Sequence, residues 1–261
     1  MSCAAPPMSL GALDLGFVGV AALAAGAVNA LAGGGTLITF PALTAVGIPA
    51  LNANITNTVA LSPGYVGGTL AQRADLEGQR PRVRAVMIPA IVGGLAGGAL
   101  LLAVGAATFR ALVPWLILTA ALLLAIDPIA KRWIRARLNH TAGHGNLRLA
   151  GVVAFVGAVY GGFFGAGLGI ILLALYSLVV PESLIRINAL KQVTSFAANV
   201  SAALFFVFSG RVVWDAAVVM AVGALVGGAL AGRVVRFVNP NALRAIVVAV
   251  GITVAIVYFA N

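Results

Sequence analysis

The sequence predicts an all-α polytopic membrane protein, and three observations carry that reading. Of its 261 residues, 62% are hydrophobic and only 8% charged. Mean hydropathy is +1.09, outside the range of ordinary soluble domains. The apolar residues fall in long blocks separated by glycine, proline and basic clusters. Since a membrane-spanning helix takes roughly 20 apolar residues, the chain has room for about ten crossings and none for a sizeable soluble domain.

Taken in order, the first series of apolar blocks covers residues 11–32, 34–48, 52–72, 83–105 and 111–128. A polar stretch from Lys131 to Arg148 follows, and a second series covers 149–166, 168–181, 184–208, 212–232 and 242–260. This divides the chain into a first transmembrane repeat (1–130), a basic cytoplasmic linker (131–148) and a second transmembrane repeat (149–261). The residues ahead of the first block contain no Lys or Arg and so lack the basic region of a secretory signal; that block is expected to be retained. A single cysteine, Cys3, excludes an internal disulfide framework and a multi-cysteine metal site, leaving lipidation as its alternative use.

The two series match each other. Residues 92–100 read VGGLAGGAL and residues 222–230 read VGALVGGAL, seven identities in nine at an offset of 130. In the same order, Gly33-Gly34-Gly35 matches Gly165-Ala166-Gly167, Pro49 matches Pro181, and an Asn-rich block follows each, with Asn52, Asn54 and Asn57 in the first half and Asn188, Gln192 and Asn199 in the second. An internal duplication accounts for this agreement.

Charge then orients the halves. If each half crosses five times with the N-terminus outside, fourteen of the sixteen basic residues lie on the inside, Arg110 and Arg211 excepted. Four crossings per half give ten against six. An odd number per half makes the second repeat inverted relative to the first. Blocks 34–48 and 168–181, however, reach only ~22 Å at 1.5 Å per residue, short of the ~30 Å hydrocarbon core. The expected architecture is therefore two homologous, inverted halves with eight full-length transmembrane helices and two short or broken segments. The net charge of +10 is accounted for by these topogenic arginines and not by nucleic-acid binding, because the basic residues sit in short clusters at block ends.

Polar residues inside apolar blocks mark candidate chemistry. Asn54, Thr56, Asn57, Thr58 and Ser62 follow the first glycine run, and Asn188, Lys191, Gln192 and Ser195 line up near one helical face of the 184–208 block. Such side chains are costly in lipid and face protein or a water-filled cavity. Helix breaks at Gly33, Gly34 and Gly35 and at Gly165 and Gly167 would expose backbone N–H groups, which suit an oxyanion. Lys191 would add a cation. The competing readings are close helix packing for the glycines and snorkelling to the interface for Lys191. All six acids, Asp127 included, fall near block ends, with Asp127 read as a helix-end residue before Pro128. No proton or sodium coupling group is thereby identified. His140 and His144 sit in a polar loop without a partner acid or cysteine, and Ser62 and Ser195 lack a histidine base, so no enzymatic site, metal centre or cofactor is expected. Trp115, Trp133, Trp214 and Tyr258 read as interfacial anchors.

At these residues the chain resembles the sulfite exporter TauE/SafE family, also called the 4-toluene sulfonate uptake permease family. The resemblance runs from about Leu10 to Tyr258. Its most specific part is Asn29-x3-Gly33-Gly34-Gly35-Thr36-Leu37 with Pro41, Gly47-Ile48-Pro49 and Asn54-x2-Asn57-Thr58, supported in the second half by GGFFGAGLG (161–169), Pro181 and Asn188-Ala189-x-Lys191. The second copy departs at Ala166, Leu168 and Leu173. The resemblance implies a bacterial inner-membrane transporter of two related halves that moves sulfite, an organosulfonate or another small sulfur-containing or organic anion.

The expected function is a secondary, alternating-access carrier for such an anion, with its site between the repeats. Its binding residues would be Gly33, Gly34, Gly35, Asn54, Asn57, Thr58, Gly165, Gly167, Asn188, Lys191, Gln192 and Ser195. The alternatives are an anion channel, which would show no counterflow, and a membrane scaffold subunit that transports nothing. Partners are the anion, the bilayer and an unassigned coupling ion (proton or sodium). The apolar exterior is also compatible with a homodimer.

Overall fold

The computed structural model describes residues 10–31, 34–138, 146–234 and 240–260, all of which form helices, turns or irregular connections and no strand. The helices are α1 (Ala12–Leu31), α2 (Thr36–Ala45), α3 (Ala50–Ala71), α4 (Arg80–Leu138), α5 (Leu147–Phe163), α6 (Leu168–Val179), α7 (Leu184–Val207), α8 (Trp214–Val234) and α9 (Pro240–Ala260), with a 3₁₀ turn at Arg73–Leu76. Helix α4 is two arms, 80–104 and 106–138, joined at Gly105, whose φ of 77° and ψ of 170° interrupt the helix. Those dihedrals are open to glycine and closed to residues with a Cβ. By length and apolarity the stretches 12–29, 80–134, 184–207 and 242–260 suffice to cross a membrane, and α2, α5, α6 and the greater part of α8 are shorter apolar helices. The 22 residues of α3 are long enough as well, but include Asn52, Asn54, Asn57 and several hydroxyl residues.

Packing repeats itself with a swap. The first helix of each half lies against the fourth helix of the other, through glycines too tightly apposed to accept a Cβ. A Cβ on Gly97 would overlap the Val159 carbonyl oxygen, and one on Gly227 would overlap that of Leu23. Likewise Gly162 meets the Gly94 carbonyl, and Gly26 meets that of Ala224. Each contact on the α4–α5 side recurs on the α8–α1 side, shifted by 130 in the fourth helix and 136 in the first. The repeated glycines thus serve close helix packing.

Helices α3 and α7 pack antiparallel. Gly68 late in α3 and Gln72 just past its end meet Gln192 and Asn188 near the start of α7, whereas Asn52 Nδ2 at the start of α3 donates to the Arg211 carbonyl just past the end of α7 (3.0 Å). The Val213 N–H also donates to Thr56 Oγ1 (3.0 Å). One apolar cluster, containing Phe40, Phe109, Phe164 and Phe206, surrounds the α1–α2 and α5–α6 connections; a second, containing Tyr176, Ile187 and Leu190, supports α6 and α7.

Two expectations change. The polar stretch expected from Lys131 begins inside α4, which continues to Leu138, because Lys131 points back to bond Asp127 one turn earlier (2.9 Å). Asp127 is not at a helix end. It is 1% exposed, in the middle of the second arm of α4, and also accepts from Arg244 Nη2 of α9 (2.8 Å). Pro128 follows it without ending the helix. Tyr258 lies with its ring centroid 6.5 Å from that of Phe40, packed on the core cluster. His140 and His144 lie outside the described residues.

Removing one member of such a buried ion pair strands the other charge, at a cost of about 3–5 kcal/mol. Asp127→Ala is therefore expected to lower the thermal midpoint sharply in detergent. The double variant Asp127→Leu/Arg244→Met should recover part of that loss. Equal stability of the single variant and the parent would show that water already screens the pair.

Candidate functional site

Both short helices begin at a chain break next to the partner repeat, but the two breaks are finished differently. Gly33 lies outside the described residues. Gly34 has φ 94°, and the Gly35 N–H donates to Asn29 Oδ1 (2.8 Å), which caps the approach to α2. From α3, Asn57 Oδ1 lies 2.5 Å from Thr39 Oγ1, and its Nδ2 lies 3.5 Å from Thr36 Oγ1. Asn57 is 2% exposed. The first break thus caps its central N–H, that of Gly35, from within.

The second break does not. Gly165 and Gly167 both have φ 78°, and Gly167 stands at the N-cap of α6 with no side-chain cap. The Tyr160 hydroxyl donates to the Ala166 carbonyl (2.5 Å). Among the described residues, no acceptor bonds the N–H groups of Ala166, Gly167 or Gly169. These orphan donors sit at the positive end of the α6 dipole. Beside them is Lys191, whose Nζ would be 3.6 Å from a Cβ on Gly169. Lys191 has no hydrogen bond or ion pair with any described residue, although the charges of Asp127 and Lys131 reach it. Lys191 follows α7's first residue by seven positions, about 10 Å along the axis, where it flanks the first turn of α6 as Asn57 flanks that of α2. One turn further on, Ser195 is 3% exposed and its hydroxyl has no partner among the described residues.

The remaining predicted residues divide into two groups. Asn54, fully buried, crosses to the other half and donates from Nδ2 to the Phe163 carbonyl at the end of α5 (2.9 Å). Thr58 is taken up by its own helix, donating to the Asn54 carbonyl (2.9 Å). Gln192 covers Gly68 of α3. Asn188 lies at the end of the bundle, donating from Nδ2 to Gln72 Oε1 (2.7 Å). There it joins a second cross-half lock in which Glu182 binds Arg82 and Arg186 (2.8 Å to Arg186 Nε), and Gln79 Nε2 reaches the Arg186 carbonyl (3.2 Å). The structure therefore sets Lys191 against the first turn of α6 that Gly167 opens, leaves Ser195 one turn further along α7, keeps Asn57 and Gly35 with the first break, and moves Asn188 to the rim.

Thr39, Tyr160 and Gln72 are unmarked in the sequence reading, and Asn29 and Thr36 enter it only as motif residues without a role. Thr39 had a signal: a hydroxyl in an otherwise apolar ten-residue helix, four residues beyond Gly35. Two surface grooves lie elsewhere, one between α4 and α5 bounded by Pro89, Arg148 and Phe155, the other beside Arg244 between α4 and α9. Both are apolar and outward-facing, as surfaces in contact with lipid are.

An all-helical bundle with apolar faces outward and polar chain breaks inward is the architecture of a multi-pass membrane transporter. The chain belongs to the family described as sulfite exporter TauE/SafE, whose model matches residues 18–258. It is 27% identical over 242 residues to the probable membrane transporter protein YfcA of Escherichia coli K12, covering 91% of this chain and 87% of that protein. It is 28% identical over 244 residues to the probable membrane transporter protein ORF9 of a Sinorhizobium species, covering 93% and 91% of the two chains. A probable membrane transporter protein of Haemophilus influenzae is 27% identical over 224 residues, 85% of each chain. No solved structure matches.

Proposed function

We propose that the protein is a secondary carrier of the bacterial inner membrane for a small anion, sulfite or an organosulfonate, bound where α6 begins. The observation that carries this reading is Lys191, a cation without a partner among the described residues, beside three backbone N–H groups that also lack one. An oxyanion supplies what both are missing: acceptor oxygens for the donors and a counter-charge for the ammonium. Gly165 and Gly167 let the backbone turn there, and Ser195 offers a further donor.

Alternating access needs two related halves, and the packing supports an inverted pair. If α3 and α7 are equivalent, their antiparallel contact places the two-fold axis across the helices, in the membrane plane. The same sense follows from the basic residues, and it puts the Arg82–Glu182–Arg186 lock on the cytoplasmic side. On this reading eight helices cross fully, while α2 and α6 are half-length segments whose first turns meet the site. Movement of one half against the other would break and remake the end locks around a fixed site.

The experiment is thermal stabilisation of the detergent-purified protein against sulfite, sulfate, thiosulfate, sulfoacetate, taurine and carboxylates. A sulfur oxyanion is expected to raise the midpoint in a saturable way, by RT ln(1 + [L]/Kd) in free energy. Equal midpoints with all of these anions would remove the proposed substrate class.

A further inference from the structure

We propose that the α5–α6 break also holds a monovalent cation, Na⁺, bound by carbonyl oxygens at the end of α5 and by the side-chain oxygens of Asn54 and Asn199. The end of α5 has an excess of acceptors. An α-helix ends in carbonyl groups without intrahelical partners and carries partial negative charge there. At the end of α5, the Phe164 and Gly165 N–H groups both turn back to the Tyr160 carbonyl. Among the described residues, the Gly161 carbonyl then has no donor, and the Phe163 carbonyl has only Asn54 Nδ2.

Two side chains add oxygens instead of donors. Asn54 is 0% exposed, and its Oδ1 is buried with no hydrogen-bond partner. Because its Nδ2 is 2.9 Å from the Phe163 oxygen, amide geometry keeps Oδ1 within about 5 Å of that oxygen. Asn199 is 5% exposed and spends its Nδ2 on the Ser195 carbonyl. Its Oδ1 would be 3.8 Å from a Cβ on Gly165, and the Gly161 oxygen would be 3.0 Å from the same point. The Gly161 oxygen and Asn199 Oδ1 thus flank one left-handed glycine, while Asn54 Oδ1 and the Phe163 oxygen lie together at the same helix end, with a single N–H donor among the four. An unsatisfied buried acceptor costs about 1–3 kcal/mol, and one cation satisfies several at once.

The ligand chemistry selects the ion. Oxygen ligands suit hard cations, and no cluster of His, Cys, Asp or Glu suited to a metal exists among the described residues. Neutral ligands compensate one charge more readily than two. Amide and carbonyl oxygens do not titrate near neutrality, so the site takes an ion and not a proton. Asn199 lies fifteen residues into α7, about 22 Å along its axis, and Lys191 about 10 Å, so cation and anion would occupy opposite faces of one break. The cation's part in coupling rests on the transport reading above; its binding does not.

The test is the thermal midpoint of the full chain in NaCl, KCl and choline chloride at equal ionic strength, without any transportable anion. NaCl is expected to stabilise saturably, KCl and choline chloride much less. Asn199→Ala should weaken the Na⁺ half-saturation at least ten-fold, Asn199→Asp should retain it, and Lys191→Ala should leave it within two-fold. Identical midpoints in the three salts would overturn the proposal, as would an unchanged Na⁺ response in Asn199→Ala. Should Asn199→Ala fail to fold, the salt comparison on the parent chain and on Asn199→Asp decides. A Na⁺ response without any anion response would leave this site standing and remove the anion reading, and the converse pattern would do the reverse.

Discussion

Lys191→Ala is expected to weaken anion binding ten- to a hundred-fold while leaving the protein folded. The magnitude follows from the interaction removed. A hydrogen bond to a charged group contributes about 1.5–3 kcal/mol, and each 1.4 kcal/mol is a factor of ten. Folding should survive, because the ammonium has no partner among the described residues to abandon and its alkyl stem only covers Gly169. The informative contrast is Arg186→Gln. Arg186 is five residues away on the same helix but already bound to Glu182 at 2.8 Å. It should lose at most two-fold in affinity. Equal losses in the two variants would mean that general positive charge, and not the α6 break, attracts the anion. Ligand-dependent melting of parent and variants across an anion titration makes the comparison.

The second large effect is on folding. Leucine at Gly97 or at Gly227 is expected to abolish recovery of folded protein, since its Cβ alone overlaps a backbone carbonyl of the helix it crosses, Val159 or Leu23 respectively. Overpacking commonly costs about 1–3 kcal/mol where side chains can yield; a backbone in a packed helix yields less, so the cost here exceeds that range. Because the two contacts are counterparts in the two halves, both variants should fail alike. Gly64→Ala and Gly67→Ala are the controls, as a Cβ at either position meets nothing within 4 Å. Fluorescence-detected size-exclusion profiles would show a monodisperse peak for the controls and aggregate for the leucine variants. A monodisperse Gly97→Leu would contradict the swapped packing of α1 with α8 and α5 with α4.

Much of this arrangement is legible in the sequence because lipid imposes simple rules. Apolar blocks and their breaks gave most helices to within three residues at each end, though not the second arm of α4, which covers 106–138 against a block of 111–128, and the VGGLAGGAL repeat marked the glycine seams. The failures have a common physical origin. Asp127 looked like a helix-end residue because its partner Arg244 is 117 residues away, and no local pattern announces a pair so distant in sequence. Asn188 and Lys191 share a helical face, yet one turn of difference in depth puts Asn188 with Gln72 at the rim and Lys191 at the break. Likewise Ala166 and Leu168 set the second glycine run apart without showing how the caps of the two runs differ. Their difference lies in Asn29, whose side chain caps the first break, while the second has Gly165 at the position shifted by 136. Whether the central N–H of a break is capped is decided by one such side chain, six residues away from the donor it satisfies.

The central claim is that a small anion binds at the α6 break and is carried, not conducted. Solute counterflow tests it most directly. Liposomes containing the purified protein are preloaded with millimolar unlabelled sulfite and diluted into trace radiolabelled sulfite. The account predicts transient accumulation of label above equilibrium, absent without preloading and absent with Lys191→Ala at the same concentrations. Uptake that never overshoots, or that proceeds equally in liposomes containing the variant, would contradict it.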